Sequence, residues 1–261
     1  MARIMTQPNI WIIDIETAPR IAYVWQFFKA FISPNQVLNK GYIMSFAAKK
    51  LGEDSVIYEE TRTEDDTELC RSLSAIFDNA DIVIAHNADR FDIPTIRASC
   101  MRHGLRPWSP IKVIDTLKVA KREFRIDSNS LKYLSMYLGV DEKEDHAKFP
   151  GFELWKECIA GNEEAWAEMQ QYNIQDVLTL EQVYLKMRPW MTRHPNLGVL
   201  MEEDKTVCSK CSSDHIQWRG YAYTNVGKYR KYQCQGCGGW GRSRFTEYDP
   251  SKKKVLTVNA V

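Results

Sequence analysis

Asn9-Ile-Trp-Ile-Ile-Asp-Ile-Glu-Thr17 decides how this chain is read. The stretch is short, rich in isoleucine and almost continuously apolar, which is the pattern of a strand buried on both faces of a sheet. Asp14 and Glu16 interrupt it two residues apart, and because side chains alternate along a strand, both carboxylates point to one face. Two neighbouring acids on an apolar strand repel each other, and one is driven neutral unless a cation or several donors compensate the charge. The stretch therefore predicts a central strand that carries a charged site.

Working outward, residues 42–51 and 55–60 read as two more strands, joined by the hairpin-like turn Gly52-Glu53-Asp54. Residues 63–79 place Leu69, Leu73, Ile76 and Phe77 at helical spacing, and 81–86 is again a strand. Residues 91–103 read as a helix ending at Gly104, 111–114 as a strand, 131–138 as a helix stopped by Gly139, and 163–187 as a long helix ended by Pro189. Three strands followed by alternating helix and strand predict an α/β layer with a mixed sheet and helices on both faces.

Composition bounds the function. With 44% hydrophobic and 26% charged residues the chain is near the average for a globular protein, which excludes wholesale disorder and collagen-like structure. At about 100–200 residues per domain, 261 residues suit one medium domain and an appendage, or two small domains. No charge-free run approaches the roughly 18 apolar residues that cross a bilayer, and Met1-Ala-Arg-Ile-Met-Thr-Gln-Pro8 has no apolar signal core, so a cytoplasmic protein without membrane contact is expected. The net charge of +1 hides an asymmetry: residues 1–204 carry 24 Lys+Arg against 31 Asp+Glu, residues 205–261 carry 11 against 3. Pro189, Pro195 and Gly198, then Glu202-Glu203-Asp204, mark the boundary, giving an acidic domain over 1–200 and a basic module over 205–261 suited to a polyanion.

Further acids occur where chemistry would need them. His86-Asn-Ala-Asp-Arg-Phe-Asp92 sets carboxylates where a strand hands over to a helix, and Tyr172 and Asp176 stand four apart on one helix face. Taken singly, Asp92 could cap a helix and Asp176 could be solvated. Taken together, four carboxylates from three segments could hold two divalent cations. Hard oxygen ligands select Mg²⁺ or Mn²⁺, and a cation pair can activate water on one side of a phosphodiester and stabilise the departing oxygen on the other.

Three motifs in this order resemble the tyrosine branch of the DEDD 3′-5′ exonucleases, above all the proofreading domains of B-family DNA polymerases. Asp14-Ile-Glu16 matches Asp-x-Glu, Asn87 with Phe91-Asp92 matches the second motif, and Tyr172-Asn-Ile-Gln-Asp176 matches Tyr-x-x-x-Asp. The resemblance covers residues 9–190. It implies a ribonuclease H-like three-layer α/β fold with a mixed five-stranded sheet, ligation of two Mg²⁺ or Mn²⁺ by Asp14, Glu16, Asp92 and Asp176, and a Tyr172 hydroxyl that orients the attacking water. It also implies contacts to nucleic acid by Asn87 and Phe91, and release of nucleoside 5′-monophosphates from single-stranded or frayed DNA 3′ ends. An exoribonuclease with the same chemistry and a non-catalytic nucleic-acid-binding scaffold are the alternatives. Asp89 competes with Asp92 as a ligand, and Asp92 is preferred because it directly follows Phe91. Asp115 is either a helix cap or an accessory acid. Lys148 lies where some of these domains place a lysine near the scissile phosphate, or is a solvated surface residue. No polymerase or helicase motif follows, so a free-standing exonuclease acting in DNA replication or repair is expected.

Residues 18–41 form an insertion containing Trp25, Phe27, Phe28 and Phe31. Exposed rings would stack the bases of a frayed strand. The helical spacing of Trp25, Phe28 and Ile32 equally fits a helix packing an aromatic face on the core.

Of seven cysteines, Cys70, Cys100 and Cys158 read as buried small hydrophobes. The other four form Cys208-Ser-Lys-Cys211 and Cys234-Gln-Gly-Cys237, separated by 22 residues, the spacing of a four-thiolate structural zinc site of the ribbon type. His215 is a possible substitute ligand. So short a module buries little core, and one Zn²⁺ would supply the missing folding free energy. Arg219, Tyr229, Arg230, Lys231, Trp240 and Arg242 interleave rings with cations, as single-stranded nucleic acid requires; docking onto a replication or repair protein is the alternative.

Overall fold

The computed structural model describes residues 7–140, 148–201 and 205–259; Glu202-Glu203-Asp204 and the first six residues lie outside them. Contacts divide the chain into one compact unit, Asn9–Tyr184, and a second that takes in the segment from Leu185 onward.

In the first unit, β1 (Ile10–Thr17) is the middle strand of five. β2 (Ile43–Lys50) runs antiparallel to it, with Asp14 opposite Ala47 and Glu16 opposite Ser45, and β3 (Val56–Glu60) runs antiparallel to β2. Helix α1 (Thr67–Asn79) leads into β4 (Ile82–Ala85), parallel to β1, and α2 (Asp92–Arg102) into β5 (Lys112–Asp115), parallel to β4. The sheet order is β3-β2-β1-β4-β5, followed by α3 (Thr116–Glu123), α4 (Leu131–Leu138), α5 (Glu153–Ile159) and α6 (Glu163–Met187). This is the ribonuclease H-like α/β fold with its mixed five-stranded sheet.

Alternation along β1 splits its residues between two layers. Ile13 and Ile15 join Phe46, Leu73, Phe77, Ile93 and Ile96 in a core beneath α1 and α2. Each such fully buried side chain contributes about 1.5–3 kcal/mol by area, which fixes the strand's register and leaves Asp14 and Glu16 on the opposite layer. That layer is closed by α6, whose Glu181 pairs with Lys49 of β2 at 2.6 Å.

α1 starts at Thr67, four residues later than its apolar spacing suggests, because Asp66 is turned inward and fully buried. Its carboxylate accepts from the Ile43 amide at 2.9 Å, from Arg102 at 2.6 Å, and from Ser99 and His103. Burial alone would raise the Asp66 carboxyl, yet these donors hold it below the usual carboxylate range.

The insertion does not form the aromatic-faced helix that its spacing allowed. Its regular structure is one 3₁₀ turn, Pro34–Gln36, and the rings of Trp25, Phe27, Phe28 and Phe31 are exposed.

In the second unit, 3₁₀ turns at Arg188–Trp190 and Leu197–Val199 precede β6 (Ile216–Thr224), β7 (Gly227–Cys234) and β8 (Trp240–Arg242), an antiparallel sheet in that order, and then α7 (Pro250–Lys254). Its core is small: Tyr232, Cys208 and Cys234 are buried, with Trp218 against them. A side chain at Gly241 would collide with the Tyr232 ring, so β8 can lie tight on β7 only because residue 241 has none. No helix among the described residues is long and apolar enough to cross a membrane.

Candidate active site

α6 brings Asp176 to the face of β1 that carries Asp14 and Glu16, and one carboxylate oxygen from each of the three lies within 4.8 Å of the others. Two of the acids are held by neighbours the sequence did not single out. Asn173 Nδ2 donates to Asp14 Oδ2 at 2.7 Å while its own Oδ1 accepts from Ser45 Oγ at 3.1 Å, and Trp155 Nε1 of α5 donates to Glu16 Oε2 at 3.1 Å. Tyr172, one turn before Asp176, meets the Trp155 ring edge to face at 5.8 Å. Burial, and then the charges of Asp176, Glu16 and Asp14, push the Tyr172 hydroxyl far above the usual phenol range, so it stays protonated and acts as a donor.

Asp92 opens α2 with 1% of its surface exposed and is not part of that trio. Its Oδ2 is buried with no hydrogen-bond partner among the described residues. Burial pushes the Asp92 carboxyl up to about 7, with the charge of Asp115 adding to it, against hydrogen bonds from its own amide and that of Ile15, the residue between Asp14 and Glu16. Leaving such an oxygen unpaired costs about 1–3 kcal/mol or more. In octahedral coordination at about 2.0–2.1 Å, ligand oxygens lie roughly 3–4 Å apart. A trio within 4.8 Å beside an orphaned buried carboxylate oxygen therefore fits a hard divalent cation.

The remaining residues of the second motif are tied elsewhere. Asp115 caps α3 through the Lys118 amide at 3.1 Å and also accepts the amides of Asn87 and Asp89, both at 3.2 Å. It thereby fixes the loop in which Asn87 adopts a left-handed φ of 71°. Asp89 forms an ion pair with Lys118, Phe91 is 39% exposed, and neither Asp89 nor Asp115 joins the acidic trio. Lys148 pairs with Glu164 at 2.5 Å, both side chains being more than half exposed.

Asn173 did leave a trace in the sequence. Met169, Asn173, Val177, Leu180 and Tyr184 recur at helical spacing and all are buried, so the asparagine is the polar exception in an apolar stripe. Trp155 leaves no such mark, because α5 is only seven residues long.

In the second unit the four sulfurs of Cys208, Cys211, Cys234 and Cys237 lie within 4.8 Å of one another, with 3.7 Å between Cys208 and Cys237 and 3.6 Å between Cys211 and Cys234. Tetrahedral zinc with bonds of about 2.3 Å places its sulfurs about 3.8 Å apart. The amides of Lys210 and Cys237 point at the Cys208 and Cys234 sulfurs, each at 3.4 Å, supporting thiolate charge. The cluster is compatible with a zinc ribbon. His215 stays outside it, exposed beside Asp214.

Strand pairing sorts the ribbon's rings and cations by face, since directly opposed residues share one. Lys231 faces Arg242 and Gln233 faces Trp240, so Tyr229, Lys231, Trp240 and Arg242 share a face, with Arg242 stacked on Tyr229 at 3.9 Å and Lys231 on Trp240 at 5.4 Å. A groove of about 400 Å³ lies there. Arg230 stands on the opposite face over Trp218, and Arg219 sits at the bulge in β6, bonded to Gln217.

Comparison with known proteins agrees with this fold. Residues 13–188 match the RNase_H superfamily. Among solved structures the chain is similar to the family B DNA polymerase of the hyperthermophilic archaeon Pyrobaculum calidifontis, with a TM-score of 0.51 and 13% identity over 70% of this chain. The match covers 25% of the polymerase, so this chain spans about a quarter of that protein's length, and at this identity the likeness speaks for the fold. No curated protein sequence matches the chain. With a mixed sheet that sets acids on its middle strand and a family match over two thirds of its length, the chain belongs to the RNase H superfamily.

Proposed function

We propose that this protein is a metal-dependent 3′-5′ exodeoxyribonuclease of the tyrosine DEDD branch, acting on single-stranded or frayed ends. Superfamily membership supports a nuclease-type hydrolase; direction and sugar preference follow from the motif resemblance. The observation that carries the reading is the meeting of Asp14, Glu16 and Asp176 from β1 and α6.

Asp14, Glu16, Asp92 and Asp176 would hold two Mg²⁺ or Mn²⁺. When bound, such ions lower the pKa of water and stabilise charge on the departing oxygen. The chain's own groups do the rest. Asn173 and Trp155 hold Asp14 and Glu16 in place. The protonated Tyr172 hydroxyl orients the attacking water. Water oxygen bonds to phosphorus, the bond from phosphorus to O3′ of the penultimate nucleotide breaks, that O3′ takes up a proton, and a nucleoside 5′-monophosphate leaves. Asn87, in the loop after β4, Phe91, just before α2, and Lys148 are assigned to contact the strand. The cysteine cluster would hold one structural Zn²⁺ in a ribbon that tethers DNA, through its Tyr229, Lys231, Trp240 and Arg242 face. The setting that fits is DNA replication or repair.

Timed digestion of a 5′-labelled oligonucleotide with Mg²⁺, Mn²⁺ or EDTA tests this. A ladder shortening from the 3′ end with either metal, absent in EDTA and in folded Asp14→Asn and Asp176→Ala proteins, is the expected result. Unchanged digestion by either variant rejects the assignment. Faster cleavage of a matched RNA strand would make the enzyme an exoribonuclease.

A further inference from the structure

Directly after Glu16 and Thr17 the chain leaves the sheet and returns at Tyr42. The departure is built as an arm. Its neck is closed by one isolated antiparallel bridge between Ala22 and Val37, with Tyr23 N donating to Gln36 O at 2.9 Å and Leu38 N to Ile21 O at 2.7 Å. Side chains lock the neck further: Asn39 joins Pro19 and Ile21, and Gln36 joins Ser33 and Tyr23. Beyond it the tip holds Trp25, Phe27, Phe28 and Phe31, exposed by 99%, 93%, 86% and 90%.

Four rings that bury nothing are unfavourable in water and mark a surface that meets a partner. The charge around them narrows the choice. No Asp or Glu occurs between Glu16 and Glu53, a run that contains Arg20, Lys29 and Lys40. At the base of the arm a groove of about 580 Å³ is lined by Thr17, Arg20, Lys40, Phe91 and Arg102 among others. Rings that stack, an arm whose own charges are all cationic and a start at the acid-bearing strand together fit a polyanion with exposed bases better than an apolar protein groove, with Glu64 and Asp65 confined to a second groove beside Lys40.

We propose that residues 18–41 are a base-stacking arm that grips the single strand whose end enters the site of Asp14, Glu16 and Asp176. The role rests on the nuclease reading of that site. Trp25 and the three phenylalanines take bases between them, and Arg20 and Lys40 pair with the phosphates nearest the groove.

The test uses the full chain carrying Asp14→Asn and a fluorescent single-stranded DNA 20-mer, with anisotropy read without added Mg²⁺ or Mn²⁺ and without chelator over a series of salt concentrations, so that no strand is cut and the cysteine cluster keeps its metal. The pairs Trp25→Ala/Phe28→Ala and Phe27→Ala/Phe31→Ala should each weaken binding by about 5- to 150-fold per base stack lost, without changing the dependence on salt. Arg20→Gln/Lys40→Gln should instead make the salt dependence shallower, by about 0.7 per charge in the log–log slope. Photocrosslinking with a 5-iododeoxyuridine strand should give adducts on the arm. Wild-type affinity in both aromatic pairs, or adducts confined to residues 205–259, overturns the proposal. So does loss of self-association in the aromatic variants with DNA affinity intact, which would make the arm a contact between copies. Digestion with Mg²⁺, run in parallel on the chain with Asp14 intact, separates the two readings: wild-type digestion with ring-independent binding sinks the arm alone, whereas ring-dependent binding without digestion sinks the nuclease and keeps the arm as a strand binder.

Discussion

Asn173→Ala is the perturbation that best tests whether the acids are held for metal. The side chain is fully buried and joins Asp14 at 2.7 Å to Ser45 at 3.1 Å. Removing a donor to a carboxylate costs about 1.5–3 kcal/mol, and stranding the Ser45 hydroxyl adds to that. For a unit of this size each kcal/mol lowers the melting temperature by about 2–4 °C, so a drop of about 3–12 °C is expected. The functional effect is separate. Groups that orient a metal ligand typically change metal affinity by about 10- to 100-fold, equivalent to about 1.4–2.8 kcal/mol. The assay is hydrolysis of a labelled strand against Mg²⁺ concentration, well below the variant's melting temperature. The midpoint should move to higher Mg²⁺ by at least about tenfold, with partial recovery at saturation. Ser45→Ala should shift it less, and the double variant should be non-additive, because the three groups form one chain. A midpoint within about twofold of wild type, in a variant with the expected melting loss, would refute the idea that Asn173 acts through Asp14 on a metal site.

Other substitutions probe other parts. Trp155→Phe keeps the ring against Tyr172 but removes the donor to Glu16, so activity at limiting Mg²⁺ should fall by about 10- to 100-fold; unchanged activity would show that Glu16 needs no fixing. Chelating zinc, or Cys234→Ser, should expose residues 205–259 to proteolysis, since structural zinc supplies about 10–16 kcal/mol in such modules, and a resistant ribbon would count against metal support. On the ribbon, Lys231→Gln and Arg242→Gln should make the salt dependence of DNA binding shallower than Arg230→Gln does, and equal slopes would dissolve the distinction between faces. His86 is half-buried and bonded to Thr116, and its desolvation lowers its pKa below the ordinary value of 6.5. The unfolded chain therefore takes up the proton first, and stability should decline as pH falls below about 6.5; a thermal-melt series in which His86→Gln shows the same acid sensitivity would remove this residue as the cause.

Legibility followed how local each signal was. Asp14 and Glu16 could be assigned to one face because the period of a strand is two, and Tyr172 and Asp176 because residues four apart share a helix face. Asp66 was invisible in its role, since what turns it inward is a set of donors from β2 and α2 that only the packed fold brings together. The insertion misleads by pattern: Trp25, Phe28 and Ile32 have helical spacing, yet most of a helix's stability comes from burying a face, and Trp25 has nothing to bury against. Asp115 reads as a cap from its position alone, and it is one, but its hold on the loop from Asn87 to Asp89 depends on β4 and β5 lying side by side. On the ribbon, composition marks rings and cations, whereas the bulge between Trp218 and Tyr221 resets the alternation in β6 and so decides which side Tyr221 takes.

The distribution of charge ties these parts together. A site built from carboxylates repels the polyanion it is proposed to cut, and bound divalent cations reverse that repulsion only within a few ångströms, because screening confines free charge to about 8 Å at physiological salt. Strand capture must therefore come from positive surface elsewhere on the chain. The structure offers two such surfaces, both carrying rings: the acid-free insertion of residues 18–41 with Arg20, Lys29 and Lys40, which follows the acid-bearing strand directly, and the basic module with 11 cations against 3 acids. Rings hold bases in a way that salt barely weakens, whereas cations hold phosphates in a way that salt weakens steeply. A chain that uses both should keep measurable affinity at salt concentrations where one relying on lysine and arginine alone lets go, and the residual high-salt affinity should belong to Trp25, Phe27, Phe28, Phe31, Tyr229 and Trp240.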